Sequence, residues 1–400
     1  MYENRFGMFI HWGIYALTEC HEQAFARCDM AREEYESLAG RFDPVRFDAL
    51  DIVRTAKAAG MEYICITAKH HDGFCMWDTA TTDYSIMHTP FGRDVIRELS
   101  DAARAEGMKF SLYYSIPDWH HPDARNAAST HQWKSHPAGD FARYREYLLA
   151  QIRELLTNYG EIYTLFWDIP PHVDDPEINA LVRRLQPGIR INDRGFDVGD
   201  FSTPEREEAE DGCLAPYGRM TEACNSLDAV SWGWRKNSDY YSLRHILSAI
   251  DGVMARGGSY LLNMGPTALG ELPPEQKERL ARIGDWFLRV RESLCGVETD
   301  DFPYELHRSP KFIALRRENT TWFHFPEGLA ADAVNFLSWK KLPHQVMCLN
   351  SGKALLAEQT HIPSRFDMET GRAEELVLHV PGIPVDDYPA EPIVLRVDWE

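Results

Sequence analysis

The sequence predicts an α/β protein: a (β/α)8-like barrel of TIM type, complete or irregular, followed by a C-terminal antiparallel β-sandwich. Three observations carry that prediction. Up to about residue 295, short apolar segments alternate with longer amphipathic ones, as in a parallel sheet covered by helices. Five successive strand candidates end in His, Asp, Tyr, Trp or Arg, and the C-terminal ends of strands are where such barrels carry their chemistry. Beyond residue 300 the apolar residues alternate in twos between Pro, Gly and Asn turns. The expected division is a barrel over residues 1–297 and a sandwich over 298–400.

In chain order the barrel strands are expected at "GMFIHW", "YICITAK", "KFSLYYS", "YTLFWD", "IRIND" and "SYLLNMG". Between and after them lie six helical patterns with apolar spacing near i, i+3, i+4 and i+7: "FDALDIVRTAKAAG", "RDVIRELSDAARAEG", "DFARYREYLLAQIRELLTNYG", "DPEINALVRRLQPG", "SLRHILSAIDGVMARGG" and "PPEQKERLARIGDWFLRVRES". Gly60, Gly107, Gly160 and Gly257 stand where helices end and a left-handed residue is favoured. No G-x-G-x-x-G follows the first strand, which argues against a dinucleotide fold. Residues 178–240 have the weakest periodicity. In the C-terminal part "KFIALRRENTTWFHFP", "AVNFLSWKK", "ELVLHVPGIPV" and "PIVLRVDWE" read as strands, without a constellation of reactive groups.

Composition restricts the partners. With 62 Asp and Glu against 42 Lys and Arg, the formal charge of −20 repels nucleic acid and anionic membranes. No apolar run approaches the ~20 residues of a membrane span, and the N-terminus lacks a signal core, so a cytoplasmic chain is expected. The 8 cysteines are scattered without a C-x-x-C pair, which fits reduced thiols better than a disulfide framework or zinc site. No cofactor is implied. The composition is also compatible with a homo-oligomer.

The polar residues at strand ends suggest a site. His11-Trp12 end the first strand, Lys69-His70-His71-Asp72 the second, Tyr113-Tyr114 and then Asp118-Trp119-His120-His121 the third, Trp167-Asp168 the fourth, and Asn192-Asp193-Arg194 the fifth. Asp168 closes the apolar run of "YTLFWDIPP", and the two prolines stop the strand. A carboxylate at such a position serves as readily for an Asx-turn as for catalysis. Beside Trp167 and among His and Tyr donors, it is also what a glycosidase needs as one of its two carboxylates.

The motifs "FGMFIHWGIY", "ITAKHHDGFCMWDT", "DWHHPD", "TLFWD", "EACNSLDAVSWGW" and "GGSYLLNMGP", in order from residue 5 to about 295, resemble glycoside hydrolase family 29, the retaining α-L-fucosidases. The resemblance implies a (β/α)8-like catalytic domain with a following β-sandwich, exo-hydrolysis of terminal α-L-fucosyl linkages through a covalent intermediate, and a fucosylated oligosaccharide or glycoconjugate as substrate. It implies Asp168 as nucleophile and His11, His70, His71, Trp77 and Tyr114 around the fucose. Trp12 joins them as a strand-end neighbour of His11. The fucose methyl needs an apolar wall, for which Trp232 and Trp234, or Phe9 and Trp77, are candidates.

For the acid/base, Glu222 is preferred, because it stands ten residues before the Trp of "SWGW" as in many family members, although Thr221 replaces the usual preceding Trp. Glu205 in "GDFSTPERE" is the alternative; Thr203-Pro204-Glu205 also reads as a capped helix start. Asp200 and Asp193 come next. Asp168 is followed by Ile-Pro-Pro where many relatives have Gly, which bears on aglycone preference. Two other readings stay open: a non-catalytic sugar-binding homologue, and a metal-dependent barrel hydrolase or isomerase using the histidines as ligands. Against the latter, no H-x-H occurs at the first strand, and no metal is expected.

Overall fold

Residues 5–206, 214–363 and 374–399 are described by a computed structural model. Cys213 lies outside them, and the seven described cysteines are free, with the Cys20 and Cys28 sulfurs 2.8 Å apart. The first part runs β1 (Phe6–Ile10), α1 (Ala24–Arg27), α2 (Arg32–Glu36), α3 (Ala49–Ala58), β2 (Tyr63–Lys69), α4 (Val95–Ala105), β3 (Lys109–Ser115), α5 (Phe141–Asn158), β4 (Thr164–Asp168), α6 (Pro176–Leu185), β5 (Arg190–Ile191), β6 (Glu222–Ser226), α7 (Leu243–Ala255), β7 (Ser259–Met264) and α8 (Pro274–Val290). Asp48, Asp94 and Ser242 accept backbone N–H bonds at the starts of α3, α4 and α7, satisfying donors that the helices leave open. Gly60, Gly107, Gly160 and Gly257 have φ of 80°, 73°, 77° and 91° just beyond their helices.

The strands form one parallel 7-stranded sheet in the order β5-β4-β3-β2-β1-β7-β6. Among the described residues there is no eighth regular strand in this sheet, and the gap between β5 and β6 is bridged by residues 201–206. Asp193 N–H donates to Phe201 O (2.9 Å) and Asp200 N–H to Ile191 O (2.7 Å) on one side. On the other, Glu222 N–H donates to Ser202 O (2.8 Å), Cys224 N–H to Pro204 O (3.0 Å) and Arg206 N–H to Cys224 O (2.8 Å). This seam closes the barrel, with Glu205 in register with Cys224.

Strand alternation divides the side chains into two sets. Phe9, Tyr63, Cys65, Tyr113, Phe166, Cys224 and Leu261 point inward and form a separate apolar cluster. Their neighbours Met8, Ile10, Ile64, Ile66, Leu112, Tyr114, Leu165, Trp167 and Leu262 point outward into the core shared with the helices. At the N-terminal end of the barrel the Tyr63 ring lies over Gly7, where a Cβ would come within 2.4 Å of it.

After α8 the chain turns to strands: β8 (Glu298–Thr299), β9 (Ile313–Arg317), β10 (Thr320–Phe325), β11 (Ala333–Phe336), β12 (Pro343–Cys348), β13 (Lys353–Leu355), β14 (Glu358–Pro363), β15 (Glu374–Pro381) and β16 (Ile393–Trp399). They make a 6-stranded sheet, β13-β12-β16-β10-β9-β8, facing a 3-stranded one, β11-β15-β14. Phe323, Phe325, Leu395 and Val397 from the first meet Phe336, Leu378 and Val380 from the second, so the apolar faces of two antiparallel sheets bury each other. The sandwich docks on α7 and α8 through a buried Asp251–His324 contact (2.7 Å) and an Arg289–Glu391 pair (2.7 Å).

One buried ion pair ties the loops of the site face to the sheet. Lys69 ends β2 with no exposure and donates to Asp118 in the loop after β3 (2.8 Å), with its ammonium 4.4 Å from the centre of the Tyr114 ring. Asp118 also accepts from the backbone N–H groups of His120 (3.0 Å) and His121 (2.7 Å). Burial disfavours both charges, yet the lysine pKa is raised and the aspartate pKa lowered because each ion sustains the other. Lys69→Met strands a buried carboxylate and is expected to cost about 3 kcal/mol or more, measured as lost stability in chemical denaturation; a loss under about 1 kcal/mol would show that the pair does not hold these loops.

Candidate active site

At the C-terminal ends of the strands a cavity of about 170 Å³ opens. That is well below the ~300 Å³ at which drug-sized ligands begin, and suits a single sugar ring. Its walls include Phe9, His11, Glu22, His70, His71, Tyr113, His131, Phe166, Asp168, Ile169, Glu205 and Trp232. Of the residues singled out in the sequence, His11, His70, His71, Asp168, Trp232, Phe9 and Glu205 thus meet around one space.

Asp168 is buried at the end of β4. Its Oδ2 accepts from the Tyr113 hydroxyl (2.6 Å), its Oδ1 accepts from Arg194 Nη1 (3.0 Å), and His71 Nε2 lies 3.7 Å away. Burial alone would push the carboxyl up, but His71, Arg194 and Tyr113 together bring it below its ordinary value. The same Arg194 nitrogen also donates to Glu205 Oε1. Two oxygens within hydrogen-bond reach of one nitrogen are at most about 6 Å apart. A retaining glycosidase needs its carboxyl groups ~5–5.5 Å apart, whereas inversion needs at least ~6.5 Å.

The histidines are acceptors. Asn263 donates its Nδ2 to Trp232 O (2.6 Å) and Ser226 Oγ (3.1 Å), which fixes its amide orientation, so its Oδ1 accepts from His11 Nδ1–H (2.6 Å). Ser115 donates to Pro117 O (2.7 Å) and therefore accepts from His71 Nδ1–H (2.7 Å). In both rings the lone pair is left on Nε2. Burial lowers the pKa of His11 and His71 to about 4 and that of His70 well below its usual value. All three are neutral at pH 7, giving the cavity acceptors for hydroxyl hydrogens without further positive charge. Glu22 organises the Trp232 side by accepting from Ser231 Oγ (2.7 Å), Trp232 N–H (2.9 Å) and Gly233 N–H (3.2 Å), and the Trp232 ring stacks 5.3 Å from that of His11.

Other expected residues lie elsewhere. Tyr114 is the outward neighbour of Tyr113; its hydroxyl donates to Gln151 of α5 (2.7 Å). Trp12 follows His11 by one position and so points outward, packing on Phe42 and Phe47 with its indole N–H on Thr267 O (2.9 Å). Trp77 is buried beneath the loop after β2, donating to Glu154 of α5 (3.0 Å). Glu222 heads β6 at the opposite, N-terminal end of the barrel and accepts from Tyr63, which heads β2 (2.6 Å). It is not among the cavity residues, and Glu205 on the seam is the carboxyl brought to Asp168. Thr203-Pro204-Glu205 runs as an extended bridge instead of a helix start.

Asp72 accepts from Tyr35 (2.7 Å) and Phe74 N–H (3.2 Å) and shapes the turn; Gly73 follows at φ 80°, where a Cβ would meet Asp118 at 2.3 Å. Glu22 and His131 were not singled out as site residues, and Tyr113 and Arg194 were noted only as strand-end chemistry. Alternation counted back from Asp168 across the β3–β4 ladder would have found Tyr113. Among the described residues, no group of three or more His, Cys, Asp or Glu is arranged to hold a metal ion, and no helix is long and apolar enough to cross a membrane.

A family model described as alpha-L-fucosidase matches residues 1–292. The chain belongs to the α-L-fucosidase family. Tissue alpha-L-fucosidase of Rattus norvegicus is 26% identical over 358 residues, covering 81% of this chain and 76% of the relative. That of Homo sapiens is 24% identical over 97% of this chain and 86% of its own length. Among solved structures, alpha-L-fucosidase isoenzyme 1 of Paenibacillus thiaminolyticus superposes with a TM-score of 0.82 at 30% identity, covering 100% of this chain and 97% of the other. A Bacteroides thetaiotaomicron alpha-L-fucosidase of glycoside hydrolase family 29 gives 0.79 at 25% identity, covering 99% and 93%. These structures have the same TIM-like domain followed by a β-domain.

Two of these contacts yield measurable consequences. Tyr113→Phe removes a hydrogen bond that favours the ionised form of Asp168, so the acid limb of the kcat/KM profile is expected to move to higher pH; an unmoved limb would detach Tyr113 from the ionisation that governs activity. Burial pushes Glu222 from 4.5 up to about 7, with the Tyr63 bond offsetting part of the rise. The folded state therefore keeps a proton that the unfolded chain releases. The resulting stability is fully present below about pH 4.5 and is lost as the pH rises through about 7. Glu222→Gln, which cannot ionise, gains on the wild type across that window by ~3 kcal/mol and no further above it. Parallel denaturation curves from pH 4.5 to 8 measure the gain.

Proposed function

We propose that this site hydrolyses terminal α-L-fucosyl linkages of oligosaccharides or glycoconjugates by double displacement, with Asp168 as nucleophile and Glu205 as acid/base. The observation that carries the reading is Arg194 held between the two carboxyls, because it supports the ionised form of Asp168 and keeps one oxygen of each group within about 6 Å of the other, short of the spacing for inversion. Support for the covalent route comes from a Bacteroides thetaiotaomicron alpha-L-fucosidase, 25% identical over 99% of this chain, whose structure is of a trapped covalent intermediate in complex with 2-fluoro-fucosyl fluoride.

In the first step an Asp168 oxygen bonds the anomeric carbon as the glycosidic C–O bond breaks, and Glu205 gives its proton to the departing oxygen. In the second, Glu205 takes a proton from water, the water oxygen attacks the same carbon, and the bond to Asp168 breaks. His11 and His71 accept hydroxyl hydrogens from the sugar through Nε2, His70 lines the same wall, and Trp232 with Phe9 offers an apolar surface to the methyl group. Retention of an ionised carboxylate and a second carboxyl beside it favours this reading over a sugar-binding protein without turnover.

The test is variant kinetics with azide. Asp168→Gly loses aryl fucoside turnover by ~10⁴-fold or more, and azide partly restores it as the β-fucosyl azide. Glu205→Ala spares substrates with activated leaving groups far more than natural fucosides, and azide then yields the α-azide. If Glu222→Ala shows that second pattern and Glu205→Ala does not, the acid/base assignment is wrong.

A further inference from the structure

Beside the cavity mouth lies an open groove lined by Arg125, Thr130, His131, Gln132, Trp133 and His172. His131 belongs to both spaces, so the groove continues directly from the site. The rings form a path outward: His71 is 5.4 Å from His131, and His131 is 4.6 Å from Trp133. Trp133 is 59% exposed, an unusual state for the largest apolar side chain and one that marks a contact surface.

The loop presenting it is held in place from several directions. Arg32 donates to the carbonyls of Trp119 and Lys134, Lys134 donates to Asp29 (2.9 Å) and Met30 O (3.1 Å), and Trp119 donates to His131 O (2.8 Å). Ser129 N–H and Oγ both donate to Pro170 O (2.8 and 2.9 Å), and Ala128 bridges Pro171. The groove is therefore built from the loops after β3 and β4, and the latter leaves directly from Asp168. His131 sits in the left-handed region (φ 60°), where non-glycine residues are uncommon and such strain collects at functional sites.

We infer that this groove is the binding site for the sugar to which the fucose is attached, with Trp133 as the platform under one C–H face of that pyranose and Arg125, Gln132 and His172 available to its hydroxyls. A flat, rigid indole suits a pyranose face, and a preorganised loop spares the ordering cost of binding. A leaving sugar departs from the side on which Glu205 and the cavity mouth lie, so its occupancy of this groove follows from the continuity through His131. The inference rests on the fucosidase reading, and it gives the enzyme a preference for fucosylated oligosaccharides over fucosides with small aglycones.

The experiment compares kcat/KM for a fucosylated oligosaccharide with that for α-L-fucosyl fluoride, which carries no aglycone sugar, in the wild type, Trp133→Ala and Trp133→Phe. Trp133→Ala is expected to lower the oligosaccharide value roughly ten-fold more than the fluoride value, and Trp133→Phe to recover most of the loss. Equal effects on the two substrates, or none, overturn the subsite. A wild type that hydrolyses neither substrate overturns the fucosidase reading itself, whereas a wild type active on both with an unchanged ratio in Trp133→Ala leaves that reading standing and overturns only the subsite.

Discussion

An ionised carboxylate among aromatic rings is costly unless charge and hydrogen bonds surround it, and that cost at Asp168 organises the whole upper face of the barrel. The two groups that hydrogen-bond it come from different elements, Tyr113 from β3 and Arg194 from the chain beyond β5, with the neutral His71 ring from the turn after β2 placed 3.7 Å away. Each needs support of its own. Ser115 orients His71, and Thr203 O and Glu205 receive Arg194. A one-residue slip between β3 and β4 would replace Tyr113 by Tyr114 and leave the carboxylate without its phenol, so the ladder must be correct to the residue.

The neutral imidazoles follow from the same constraint. Were His11 or His71 protonated, each would compete with Arg194 for the Asp168 carboxylate. Burial prevents this, and Asn263 and Ser115 occupy the Nδ1 protons, so the lone pairs are left on Nε2. The recognition chemistry and the reactive charge are thereby kept apart within one small cavity.

Much of this was legible in the sequence. The strands ending in His11, His70-His71 and Asp168 announced themselves by apolar runs broken by reactive groups, and the helices by period and caps. What the pattern did not assign was the inward or outward sense of adjacent residues, and so Trp12 and Tyr114 stood in for groups one position away. The strand "EACNS" escaped because Glu, Asn and Ser give it no apolar run, though all five residues are buried against β7. Glu205 was obscured for a related reason: Thr-Pro-Glu has the local chemistry of a helix start, and only the long-range bonds to β6 make it extended. Glu222 had the family spacing, but that spacing put it at the head of the strand.

The seam gives the enzyme an uneven rigidity. Asp168 belongs to a seven-strand ladder with neighbours on both sides, whereas Glu205 rides on a short segment secured by a handful of backbone bonds. Amide protons of residues 201–206 should therefore exchange with solvent earlier than those of β3 and β4, by opening events that leave the rest of the barrel closed. Insertions or deletions around this segment would re-aim Glu205 while Asp168 keeps its place in the ladder.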